Sequence, residues 1–287
     1  ELRVRRARLL EQHQPERGAD AWESILSDTP DSAEARLAVW MGTQDEERKL
    51  ALALTLNEQL DRDDPNRTEV LRHLANVSDE PRKARRLWRE VLVFEPADEA
   101  AIGALLRQAR DRSDRDEERA LLTRRASLAP SGKQRAQRLL DLAQFEKTYG
   151  RHLAGERAAE RSLEESFSQE AQALYLEMLR VQGKLERWAR VRLEALATDA
   201  FADEVLFQYR DMVEVLRSEA SSGAPAFELL LSITDRFWEE PWVLTQLEEL
   251  AERTGRWSEF VQALRAVIAN HEARRTVRVA VRLSAVQ

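Results

Sequence analysis

The chain has 287 residues, with 45 Lys plus Arg against 52 Asp plus Glu, a formal net charge of −7, 43% apolar residues and no Cys. Without Cys there is neither a disulfide framework nor a thiolate metal site, and no apolar run reaches the roughly 18–20 residues a membrane span needs. Only 9 Gly and 8 Pro leave too few turn formers for an all-β protein, while apolar residues spread along the whole chain argue against disorder. A helix-rich chain remains.

Read in chain order, the sequence predicts helices over 1–13, 18–28, 32–42, 45–62, 67–78, 80–94, 98–112, 115–128, 133–149, 151–166, 169–182, 184–198, 201–219, 225–238, 241–254, 256–271 and 273–286. The first, third and later odd ones are first-type helices, and the others are second-type. The punctuation fixes this division. Pro30, Pro65, Pro96 and Pro130 recur at spacings of 35, 31 and 34 residues, each after an amphipathic run, where proline stops one helix and can begin the next. Gly150, Gly183 and Gly255 mark the other turn, since glycine suits the left-handed residue that ends a helix. The unit is about 34 residues: helix, turn, helix, turn. In the unit from Pro65 to Pro96, Ala84, Trp88, Val91 and Leu92 form one apolar stripe, and Val70, Leu71 and Leu74 form its mate. The last segment is ambiguous: Val277, Val279, Val281 and Leu283 alternate as in a strand, but Val277, Ala280, Val281 and Ser284 also make a helical stripe, and helix is preferred. The chain opens Glu1-Leu2-Arg3 as helix without Met, which reads as a fragment of a longer protein or a processed chain.

This pattern resembles the tetratricopeptide repeat, a helix–turn–helix unit of 34 residues. Its small, aromatic, small and proline positions land on Ala84, Trp88, Val91 and Pro96. Trp22, Ile25 and Pro30 repeat the last three, and Gly150, Gly183 and Gly255 match the glycine between paired helices. Glu118 and Trp188 stand where the family has a small close-approach residue. The segment around Trp257 is similar to large multi-repeat tetratricopeptide proteins of high-GC bacteria. The resemblance implies an all-α fold over residues 1–287, a single right-handed α-solenoid of about eight hairpins plus a terminal helix, in a bacterial cytoplasmic setting, with the periplasm left open.

Chemistry is sparse. His13, His73, His152 and His271 are far apart in sequence, and none stands in a metal-binding spacing. His152 and Glu156 share a helix face and read as a surface pair. Ser131-Gly132-Lys133 lacks the upstream glycine and strand of a phosphate loop. Neither a nucleophile elbow nor a dinucleotide fingerprint is present. The expectation is therefore no catalytic residue, no cofactor and no metal. Charge is uneven: residues 199–264 hold 5 basic and 14 acidic side chains, which suggests attraction for a basic partner. A basic tail follows at Arg274, Arg275, Arg278 and Arg282. The acidic total makes nucleic acid a poor fit. Arg outnumbers Lys 40 to 5, which reads as compositional bias.

In the tetratricopeptide family the first-type helices line a concave groove. The resemblance implies that Asn66, Glu69, His73, Asn76, Arg107, Arg110, Gln144, Lys147, Glu177 and Arg180 face it, along with Leu140. Asn bonds peptide backbone and Arg grips carboxylates in bidentate fashion, so such a groove suits an extended acidic peptide. Trp238 and Trp242 flank the turn at Pro241, as core or as exposed anchors. The stretch 219–225 lengthens one turn and is expected to be mobile. The leading expectation is a non-catalytic scaffold or adaptor that binds a protein or peptide. A regulatory or specificity module of a larger enzyme or transcription regulator, and a self-assembling structural solenoid, stand as alternatives; oligomeric state is open.

Overall fold

A computed structural model describes residues 1–196, 202–220 and 223–270. The expected terminal helix, the basic tail, His271 and two residues of the 219–225 stretch, Ser221 and Ser222, lie outside them. The described residues contain 16 α-helices, as eight hairpins. In order they are α1 (Leu2–His13), α2 (Pro15–Asp28), α3 (Ala33–Gly42), α4 (Glu46–Gln59), α5 (Arg67–Val77), α6 (Pro81–Phe94), α7 (Glu99–Asp111), α8 (Arg115–Leu128), α9 (Lys133–Thr148), α10 (His152–Glu165), α11 (Gln169–Val181), α12 (Leu185–Leu196), α13 (Ala202–Glu219), α14 (Ala224–Thr234), α15 (Pro241–Thr254) and α16 (Trp257–Asn270). The chain divides into two compact units, Glu1–Leu142 and Ala143–Gln287. In the first, each helix from α1 to α8 packs on the next; in the second, α10 to α16 do the same. This is the nearest-neighbour stacking of a solenoid.

Local rules set the helix limits. Ser32, Asp45, Asp98, Asp114 and Ser168 cap α3, α4, α7, α8 and α11 by accepting from backbone N–H groups of the first turn, which relieves donors that have no partner inside the helix. Pro15, Pro81 and Pro241 start α2, α6 and α15. Gly150, Gly183 and Gly255 adopt φ of +71°, +68° and +70°, the left-handed turn that the repeat requires. Ser113 holds the same place between α7 and α8 at φ 55°. Helix α14 ends at Thr234, four residues before the expected limit at 238. There the Phe237 N–H donates to the Ile233 carbonyl and the Glu240 N–H to that of Phe237, so residues 235–240 form a tight turn.

Each unit has its own core. Trp22, Trp40, Trp88, Leu71, Ile102 and Leu105 are buried in the first. Trp188, Met178, Leu216, Phe227, Leu230 and Phe260 are buried in the second. Trp238 is only 5% exposed. That overturns its reading as an exposed anchor: the turn after α14 folds the indole inward. Small residues let paired helices approach. A Cβ on Gly18 would lie 2.6 Å from the Glu11 Cα, closer than side chains tolerate, so α1 and α2 meet where only glycine fits.

Arginine closes several turns in the first unit. A helix C-terminus leaves carbonyls without intrahelical donors. Arg67 at the start of α5 donates to the carbonyls of Asn57, 3.2 Å, and Leu60, 2.6 Å, at the end of α4. Arg36 donates to the Pro30 carbonyl. Arg124 donates to those of Leu92 and Pro96 at 2.9 and 3.1 Å, and Arg135 to that of Ala129 at 2.9 Å. Guanidinium groups thus finish the ends of α2, α4, α6 and α8.

Candidate interaction surface

Most of the expected groove residues are on the surface, and most have partners within the chain. Lys147 on α9 donates to Glu177 on α11 at 2.6 Å, and Gln144 to Glu170 at 2.7 Å. Arg180 on α11 grips Glu219 on α13 through both Nε and Nη2, which raises the guanidinium pKa and holds the Glu219 carboxyl below its ordinary value. In the first unit Arg8 on α1 pairs with Glu34 on α3 at 2.6 Å. Arg72 on α5 pairs with Glu69, 2.6 Å, and with Asp98, 2.5 Å, at the start of α7. First-type helices are therefore laced to their successors by side-chain pairs; the exposed ones contribute little on their own, while Asp98 beneath Arg72 is largely buried. Second-type helices show the same lacing: Arg48 to Glu23 at 2.6 Å, Arg89 to Glu117 at 2.5 Å and Arg256 to Glu228 at 2.5 Å. The arginine excess has a structural use.

Four of the expected residues work elsewhere. Asn66 precedes α5 and donates through Nδ2 to Asp64 at 3.0 Å. The His73 ring stands edge-on to Trp40 at 5.8 Å, and its Nε2 is buried without a hydrogen bond. Burial, assisted by the nearby Lys49, lowers its pKa. Arg110 donates to Glu118 at 2.6 Å. Glu118 is the carboxylate that occupies a close-approach position, and it is 7% exposed; Arg110 neutralises it. Leu140, at 2% exposure, belongs to the core. Asn76 and Arg107 remain exposed.

One cleft lies among first-type helices. Arg210, Val213, Glu214, Arg217 and Ser218 of α13 face Trp242, Gln246 and Arg253 of α15 across a volume of about 450 Å³. The Arg210 guanidinium lies over the Trp242 ring at 5.6 Å. Arg217 reaches Glu249 at 3.4 Å. Only Trp242 in this group was marked by its residue type and place; the arginines are separated by 7 and 36 positions and meet only once α13 lies against α15.

Among the described residues no group of His, Asp and Glu is arranged to hold a metal ion, and no helix is long and apolar enough to cross a membrane. The described residues form an all-α run of helical hairpins. No family profile and no curated protein sequence matches it. Solved structures similar to it include a complex of Naa15 and Naa10 bound to HypK-THB, at 15% identity and a TM-score of 0.46, over 97% of this chain and 43% of that one. Others are a tetratricopeptide repeat protein from Parabacteroides merdae, 14% identical, TM-score 0.31, over 73% and 81%, and the P58(IPK) tetratricopeptide domain, 12% identical, TM-score 0.30, over 99% and 96%. The chain thus spans less than half the length of the first of these.

Proposed function

We propose that the chain is a non-catalytic scaffold that holds a protein partner against its first-type helices. The observation that carries this reading is the surface those helices keep: Glu69, Asn76, Arg107, Gln144, Glu177 and Arg180 are all exposed, while the apolar stripes face the neighbouring helices. Those residues joined by ion pairs make exposed contacts that a partner's charges can replace at small cost. Hydrogen-bonding and charged groups repeated at helical intervals suit an extended or helical segment of another protein.

The test is capture of partners from source lysate followed by cross-linking mass spectrometry. Only 5 Lys are present against 52 Asp plus Glu, so a carboxylate-reactive cross-linker is required. Cross-links from one partner to Glu69, Glu170, Glu177 or Glu249 are expected. Cross-links confined to second-type helices, at Glu23, Glu90 or Asp116, would overturn the placement. Cross-links only between copies of the chain would replace the scaffold by self-assembly.

A further inference from the structure

The charge of residues 199–264 suggests a basic partner, yet the cleft within that stretch has the opposite sign. Its lining carries three arginines and one carboxylate, Glu214. Arg217 is partly neutralised by Glu249, but Arg210 and Arg253 make no ion pair among the described residues. Each keeps a planar fork of donors that fits a carboxylate. The three guanidinium groups, against the single carboxylate of Glu214, leave the lining of this cleft with a net positive charge. Trp242 is half-buried and offers the rest of its ring to the cleft. Phe207, three residues before Arg210 on the neighbouring part of the same helix face, is 72% exposed and serves no core. The row Phe207, Arg210, Glu214 and Arg217 runs about 15 Å along α13, the length of about four or five extended residues.

We infer that this cleft docks an acidic peptide segment that carries a bulky apolar residue. The inference rests on the scaffold reading and names the partner's chemistry. Carboxylates meet Arg210 and Arg253, and the apolar side chain lies between Phe207 and Trp242. Tryptophan and arginine dominate binding energy at protein interfaces, and a cleft of this volume is in the range that holds ligand groups. Glu214, set between Arg210 and Arg217, rejects an acidic group placed midway and so fixes its register.

The probe is a fluorescein-labelled peptide with two Glu on each side of a Leu-Phe pair, titrated with the 287-residue chain and followed by anisotropy. Two control peptides replace every Glu by Lys, or Leu-Phe by Ser-Ser. The acidic apolar peptide is expected to bind, with affinity falling as salt rises, the Ser-Ser peptide at least fivefold more weakly, and the Lys peptide not at all. Arg210→Glu with Arg253→Glu should weaken binding at least tenfold, and Trp242→Ala at least fivefold, with unchanged far-ultraviolet circular dichroism; Trp242→Phe serves if the alanine variant does not fold. Equal or tighter binding of the Lys peptide, no binding of the acidic one, or less than twofold change in the double arginine variant would overturn the cleft assignment. Cross-linking the double variant to captured partners separates the two ideas: if capture along first-type helices persists while the acidic peptide is bound no differently from wild type, the cleft fails and the scaffold stands.

Discussion

Arg107 and Arg110 lie one helical turn apart on α7, and their roles differ. Arg110 neutralises Glu118, while Arg107 is exposed without an ion pair among the described residues. Arg107→Glu should leave the melting temperature within a degree or two, whereas Arg110→Glu sets two carboxylates together and should cost about 1–2 kcal/mol in urea denaturation. A test of groove binding must therefore use Arg107 alone. Trp88 is 4% exposed, so Trp88→Ala should cost about 3–5 kcal/mol; a loss well below 1 kcal/mol would contradict the packing described. His73 gives a pH dependence. Its folded pKa lies below its ordinary value of 6.5, so the unfolded chain binds the proton more readily. The stability due to the neutral ring is present above pH 6.5 and is lost as pH falls through the folded value. Denaturation midpoints between pH 7 and 5 should fall more steeply for the native chain than for His73→Gln. The sequence marks Trp88 as a packing residue because it lies on an apolar stripe, and Trp22 because it repeats the place of Trp88 in its own unit; both are buried. It did not mark Gly18, whose role depends on how near α1 comes to α2, nor the partnership of Arg110 with Glu118, which joins two helices across a turn.

Helix limits were legible to within a few residues wherever caps, prolines and turn glycines stood in sequence. Helix α14 was drawn too long because Phe237 and Trp238 continue an apolar run, and composition does not reveal that the chain turns back to bury them. The arginine closures were also hidden, since a guanidinium at the start of one helix finds carbonyls at the end of another only after both have formed. They have a measurable weight. The Arg67 side chain is 13% exposed and also pairs with Glu90 at 3.1 Å. Arg67→Met leaves these partly buried carbonyls without their guanidinium donor and should cost about 1–3 kcal/mol, read as a shift in denaturation midpoint. Arg67→Lys should recover less than half of this, because an ammonium cannot reproduce the planar fork.

Across each unit, stability is a sum over helices and their neighbours. Helix α1 buries only Ala7, whereas α5 and α7 bury five and six residues. Amide hydrogen exchange should therefore be fastest in α1 and slowest in α5–α7 within the first unit; uniform protection would show that the unit opens only as a whole. The repeat length and the helical class were readable from punctuation alone. The candidate surface is readable only in part: periodicity picks out the face a first-type helix exposes, but the pairs that occupy that face, and the cationic cleft inside an acidic stretch, arise from residues far apart in the chain.

The lacing and the closures resist different motions. Pairs such as Lys147 with Glu177 are exposed and can exchange one carboxylate for another as one helix slides past the next. The carbonyl joints at the turns have fixed acceptors at the helix ends, and opening one leaves those carbonyls without their guanidinium donor. A stack fastened this way yields by shear between neighbouring helices and holds firm at its hinges, so it can follow the contour of whatever lies against it without loosening a turn.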